Sequence, residues 1–195
     1  MTKDFSVVNQ TKQGRAHFER MLLVCGGPNC GKSHLLRHML EDKRLGGSKH
    51  TGNGSVPMRA LSRERCLAVR LSSPHESKFD PSEYHKSIDK KALAARRQNF
   101  RRINFAGAIQ PGPRNLMPGI VEVCSGLIKS FEPERIRVVQ LSPNQYGNTD
   151  YTLKTDEIDK LRRLDVEFIS IDARRGGGTV ESANVRILAD FFDFS

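Results

Sequence analysis

The chain has 195 residues, 32 Lys and Arg against 22 Asp and Glu, and a formal charge of +10. Apolar residues make up 37%, enough for one modest core, so collagen-like and fully disordered chains are excluded. No run approaches the roughly 18 apolar residues of a membrane helix, and Met21–Cys25 is too short for a signal-peptide core. The expectation is a cytoplasmic protein with one domain over 1–195 and no membrane partner.

Residues 1–18 are polar and aperiodic and read as a loose arm or a peripheral helix. Met21-Leu22-Leu23-Val24-Cys25 is continuously apolar and stops at Gly26-Gly27-Pro28, the pattern of a strand buried on both faces of a parallel sheet. A helix is expected from Lys32 to Leu40, with Leu35, Leu36, Met39 and Leu40 on one side. Glycine, serine and proline then mark a flexible loop at about 43–60. Cys66–Leu71 is a second strand. Residues 83–110 read as mostly helical, with Leu93, Phe100 and Ile103 inward, until Pro111-Gly112-Pro113 breaks the pattern.

A helix over Pro118–Ser130 follows, then a third strand, Ile136–Leu141, and a loop over 144–153. Thr155–Leu164 reads as a helix with Thr155 as its N-cap, Val166–Ile171 as a fourth strand, and Glu181–Phe192 as the last helix. Strands alternating with helices imply an α/β layered fold with a mostly parallel sheet.

The charge is regional. From Tyr84 to Arg114 eight basic residues face the single acid Asp89, a net +7, whereas Asp150–Ser195 carries seven bases and ten acids. The region at about 83–114 is therefore expected to be a basic helical insertion that attracts a phosphorylated or nucleic-acid partner. The cysteines Cys25, Cys30, Cys66 and Cys124 lack zinc-knuckle spacing and read as reduced thiols.

Gly26-Gly27-Pro28-Asn29-Cys30-Gly31-Lys32-Ser33 fits G-x-x-x-x-G-K-[ST], with an apolar strand before it and a helix after it. Small residues let such a loop wrap a phosphate, successive N–H groups form an anion nest, and the helix N-terminus adds positive potential. Here the chain resembles the P-loop NTPase superfamily, through its Walker A motif, and in layout it is similar to the small P-loop kinases. The resemblance implies a three-layer sandwich of the P-loop type that binds ATP and Mg²⁺. Lys32 is then expected on the β- and γ-phosphates and Ser33 on the metal. His34, directly after the motif, joins the expected nucleotide contacts. The guanine-reading Asn-Lys-x-Asp is absent, so ATP is expected rather than GTP.

Other roles follow from position. Asp172, at the end of the last strand, is the candidate second metal ligand. Small P-loop kinases commonly carry arginines on the helix between their last two strands, so the resemblance makes Arg162 and Arg163 candidate catalytic arginines, and Arg97 and Arg101, one turn apart in the basic segment, are a second candidate pair, since a guanidinium binds two phosphate oxygens. In those kinases the loop after the last strand often packs on the nucleotide base, so the resemblance implies that Arg175, in the Arg/Gly loop after Asp172, stacks there. His34 and His38 lack a third metal ligand, and His75-Glu76 reads as a polar loop. The favoured function is a small kinase-like phosphotransferase or ATPase. The alternative is an ATPase switch or regulatory subunit whose basic surface binds a nucleic acid or protein. The oligomeric state is left open.

Overall fold

The computed structural model describes residues 17–48, 50–52, 55–174 and 179–194. Among them run β1 (His17–Cys25), α1 (Lys32–Met39), β2 (Arg59–Ala60), β3 (Arg65–Arg70), α2 (Pro81–Arg97), β4 (Arg102–Ile109), α3 (Ile120–Phe131), β5 (Arg135–Leu141), α4 (Thr155–Arg163), β6 (Val166–Ile171) and α5 (Thr179–Asp190). They form one six-stranded sheet in the order β2-β3-β4-β1-β5-β6, parallel except for the short edge strand β2.

β1 lies between β4 and β5. Met21, Leu22, Leu23, Val24 and Cys25 are completely buried, as an unbroken apolar run requires of a central parallel strand. Alternate residues feed two cores. Met21, Leu23 and Cys25 join Tyr84 and Ile88 of α2, Cys124 and Leu127 of α3 and Leu161 of α4. Leu22 and Val24 join Leu35, Leu36 and Met39 of α1 and Leu188 of α5. Helices therefore cover both faces of the sheet, consistent with a three-layer sandwich.

The segment 83–114 is not one helical insertion. Its first part is α2, which begins earlier, at Pro81, in a capping box: the Asp80 carboxylate accepts from Glu83 N (2.8 Å) and Glu83 accepts from Asp80 N (2.9 Å). The helix ends before Asn99, whose φ of 66° is left-handed and cannot continue it. The chain then enters β4, paired with both β1 and β3 near the centre of the sheet. Ile103 and Phe105 are fully buried as strand residues, whereas Leu93 is 54% exposed.

Other boundaries also shift. β1 starts at His17, so the expected polar arm loses its last two residues to the sheet, and the rest of it lies outside the described residues. The 43–60 loop contains a 3₁₀ turn at Lys43–Leu45 and ends in β2. Thr155 is the first helical residue rather than the cap, and Glu157 accepts from Lys154 N at 2.9 Å. All four cysteines are free and buried, and burial pushes the Cys66 and Cys124 thiols up to about 12. Cys66 and Cys124 are packing residues rather than thiolate nucleophiles. No described helix is long and apolar enough to cross a membrane.

Candidate phosphate-binding site

All five parallel strands end at the same edge. Four loops meet there: Gly26–Gly31 after β1, Leu71–Asp80 after β3, Gln110–Gly119 after β4 and Ser142–Lys154 after β5. The helix after β1 lies on one face of the sheet and the helix after β5 on the other. The gap between β1 and β5 is therefore a topological switch point, where open α/β sheets take their ligands.

The loop 26–33 occupies that gap. Gly26 N donates to Ile109 O (3.2 Å), tying the start of the loop to β4. Asn29 (φ 54°) and Gly31 (φ 98°) are both left-handed, so the chain curls before entering α1. Gly27 has no room for a side chain, because a Cβ there would lie 2.3 Å from the Tyr151 ring. α1 has neither a side-chain cap nor an acid in its first turn. Among the described residues, the backbone N–H groups of Asn29, Gly31, Lys32 and Ser33 have no protein acceptor. A helix start without cap or acid leaves its donors and positive potential for an outside anion.

Lys32 is only 4% exposed. Its ammonium donates to Gly26 O (2.9 Å) and Gly27 O (2.5 Å), and among the described residues no carboxylate pairs with it. The ammonium also donates to the Cys30 sulfur (3.7 Å), but a buried cation held only by uncharged groups is costly, and a bound anion would offset that cost. Ser33 donates its hydroxyl to Leu71 O (2.7 Å), which fixes the oxygen between α1 and the end of β3.

Two side chains of the β5–α4 loop lie over this nest. Gln145 donates Nε2 to Asn29 O (2.5 Å), leaving its buried Oε1 without a partner, and the Tyr151 ring packs on Gly27. Beside them Cys30, Gly31, His34, Leu35, Leu141, Gln145, Ala173 and Arg174 surround a cavity of about 30 Å³. That volume holds a water or two. His34 is thus beside the loop. Arg175 lies outside the described residues.

The opposite flank holds a group the motif does not announce. His75 is fully buried and locked in one tautomer. Its Nε2–H donates to Pro118 O (3.2 Å), so Nδ1 accepts from the Ser73 hydroxyl (3.2 Å). Asn115 donates to His75 O (2.7 Å), so the histidine ties the Leu71–Asp80 loop to the Gln110–Gly119 loop. Burial pushes its pKa below the ordinary value, and the Lys32 and Arg114 charges push the same way. Its neutral form is favoured by folding. Stability from this group should be fully present above the unfolded value of about 6.5 and be lost as pH falls below it. His85 is lowered by burial in the same way. Urea unfolding between pH 5 and 7.5 should thus show stability falling on the acid side, with a smaller fall in His75→Asn. Equal slopes in the two proteins would contradict the assignment to His75.

The candidate catalytic arginines are not brought to the loop. Arg97 ends α2 and Arg101 precedes β4, and Arg162 and Arg163 end α4 just before β6. A helix that returns a chain to a parallel strand ends at the edge where that strand starts. These four residues therefore lie at the opposite edge, about 25 Å away by the rise of an eight-residue strand. Arg162 pairs with Asp159 (3.2 Å), and Arg163 donates to Asp159 O (3.3 Å). Asp172 is at the correct edge but at the end of the outer strand β6, where Arg174 grips its carboxylate and lowers its pKa.

The starting edge of the sheet carries its own ion pairs. Glu19 is buried, and although burial alone would raise its pKa, Arg102 (2.7 Å), Arg65 and Asn104 hold it down. Part of the basic segment is thus consumed internally, while Lys86, Lys90, Arg96, Arg97 and Arg101 stay exposed on and just after α2. No family model matches this chain, and no curated protein matches it in sequence.

Proposed function

We propose that the chain is a P-loop-type protein that binds the phosphates of ATP in the loop 26–33. The observation that carries this reading is Lys32, a buried ammonium that among the described residues has no carboxylate partner, at the start of an uncapped, acid-free helix where the Lys32 and Ser33 N–H groups have no acceptor among those residues. The strand–loop–helix context and the switch-point position agree with it. ATP, rather than GTP, rests on the missing Asn-Lys-x-Asp.

Of the two functions expected from sequence, the geometry supports the nucleotide-controlled binder better than the phosphotransferase. Charge neutralisation at a transferring phosphoryl group needs arginines beside it, and the four candidates lie at the far edge. Gln145 and Tyr151 cover the loop, so admitting ATP has to displace the β5–α4 loop. That displacement is a conformational signal. The exposed basic face of α2 is the surface we assign to a phosphorylated or nucleic-acid partner, with binding that weakens steeply as salt rises.

The test uses γ-labelled ATP with and without duplex RNA. We expect stoichiometric ATP binding with no label on added small-molecule acceptors, and RNA binding that falls between 50 and 200 mM salt. Label transferred to an acceptor would restore the phosphotransferase reading.

A further inference from the structure

We propose that Gln110 contacts the phosphates of the bound nucleotide directly, and that this site binds its ligand without a protein-held metal ion. The inference rests on the nucleotide reading above and adds a phosphate contact from outside the loop 26–33. Gln110 is the residue that carries β4 into the ligand edge. Its neighbour Ile109 pairs with Cys25 and accepts from Gly26 N, so Gln110 stands beside the first residue of the phosphate loop. Along β4, Ile103, Phe105 and Ile109 face the core of α2 and α3, and Ala106 and Ala108 face the core of α1. The same alternation turns Gln110 towards α1. Gln110 is 3% exposed, and among the described residues its Nε2 has no hydrogen-bond partner. Buried amides in folded proteins are nearly always satisfied, so an orphaned donor beside an anion nest marks a place that a ligand oxygen fills.

The donor set does not fit Mg²⁺. That ion takes oxygen ligands in octahedral geometry and is usually anchored by one or two carboxylates. The residues that continue β1, β3, β4 and β5 into the edge are Gly26, Leu71, Gln110 and Ser142, all uncharged. Asp172 lies two strands from β1, about 10 Å away at the usual strand spacing, and is engaged by Arg174. Among the described residues no group of three His, Cys, Asp or Glu side chains is placed to hold a metal. What the loop offers is an ammonium, backbone N–H groups, an amide N–H and the neutral Ser33 hydroxyl, whose proton goes to Leu71 O. These hold phosphate oxygens directly and give a metal no charged ligand. A carboxylate in place of Gln110 would repel the phosphates unless a cation bridged the two.

The experiment is isothermal titration of ATP into the full chain in EDTA and again with Mg²⁺, for the wild type, Gln110→Ala and Gln110→Asp, with circular dichroism to confirm folding. The wild-type Kd should differ by less than about threefold between the two buffers. Gln110→Ala should weaken binding about tenfold in both. Gln110→Asp should weaken it more than tenfold in EDTA and recover with Mg²⁺, making binding metal-dependent. Wild-type binding at least tenfold tighter with Mg²⁺, or a Gln110→Ala protein that binds as the wild type does, would overturn the proposal while leaving nucleotide binding intact. Failure of the wild type to bind ATP in either buffer would overturn the nucleotide reading and this inference with it.

Discussion

Lys32→Ala should weaken ATP binding by roughly 10–150-fold, the factor that corresponds to losing a charge-assisted bond of about 1.5–3 kcal/mol. Lys32 is the cation inside the loop, held by the Gly26 and Gly27 carbonyls and the Cys30 sulfur. The apo protein should keep its stability within about 1 kcal/mol, since the change also removes the desolvation cost of a buried, unpaired charge. Differential scanning fluorimetry separates the two effects. At ATP concentrations about 100 times Kd, mass action stabilises the wild type by about 2.7 kcal/mol, a rise in Tm of roughly 5–11 °C. At the same ATP concentration the variant should shift by only a few degrees, from an almost unchanged starting Tm. A variant that shifts as far as the wild type would mean that ATP binds elsewhere.

Phe105→Ala should cost about 3–5 kcal/mol of folding stability. Phe105 is fully buried in β4, between β1 and β3, and belongs to the core covered by α2 and α3. Removing its ring leaves a cavity that two hydrogen-bonded neighbouring strands prevent from closing. Leu93→Ala is the matched comparison, because Leu93 is 54% exposed on α2; it should cost less than about 0.5 kcal/mol. Urea midpoints measure both. A continuous helix over 83–110 would make Leu93 an inward residue, and comparable losses at the two positions would contradict the strand.

That pair of residues also shows how far the sequence carries. The apolar run Met21–Cys25, the motif 26–33 and the helical spacing of Leu35, Leu36 and Met39 are local patterns, and the structure contains the elements they predict. β4 is hidden in the sequence because Phe100, Ile103 and the alanines around them also fit a helical spacing, and propensity does not separate the two over a short span. Two available signals pointed the other way: Asp80-Pro81-Ser82-Glu83 is a capping box that starts a helix earlier, and Asn99 is a residue that tolerates the left-handed turn ending it.

The site was legible only where one loop makes it. Lys32, Ser33 and the glycines follow from eight consecutive residues. The arginines were assigned from neighbourhood in sequence, but the direction of a returning helix decides which edge its last turn occupies. In α2 and α4 the last turn falls at the edge away from the ligand. Gln110, His75 and Gln145 come from three other loops. Nothing in their local sequence signals a site, because strand order brings them to β1, and that order depends on pairings between distant segments.

The most direct test of the central claim is a ¹H–¹⁵N correlation spectrum of the labelled chain titrated with ATP. The largest shifts are expected at Gly27–Ser33, together with Gln110, Gln145 and Tyr151, with small shifts over α2 from Lys86 to Arg97. Shifts confined to the basic face of α2, with Gly31, Lys32 and Ser33 unmoved at saturating ATP, would contradict it.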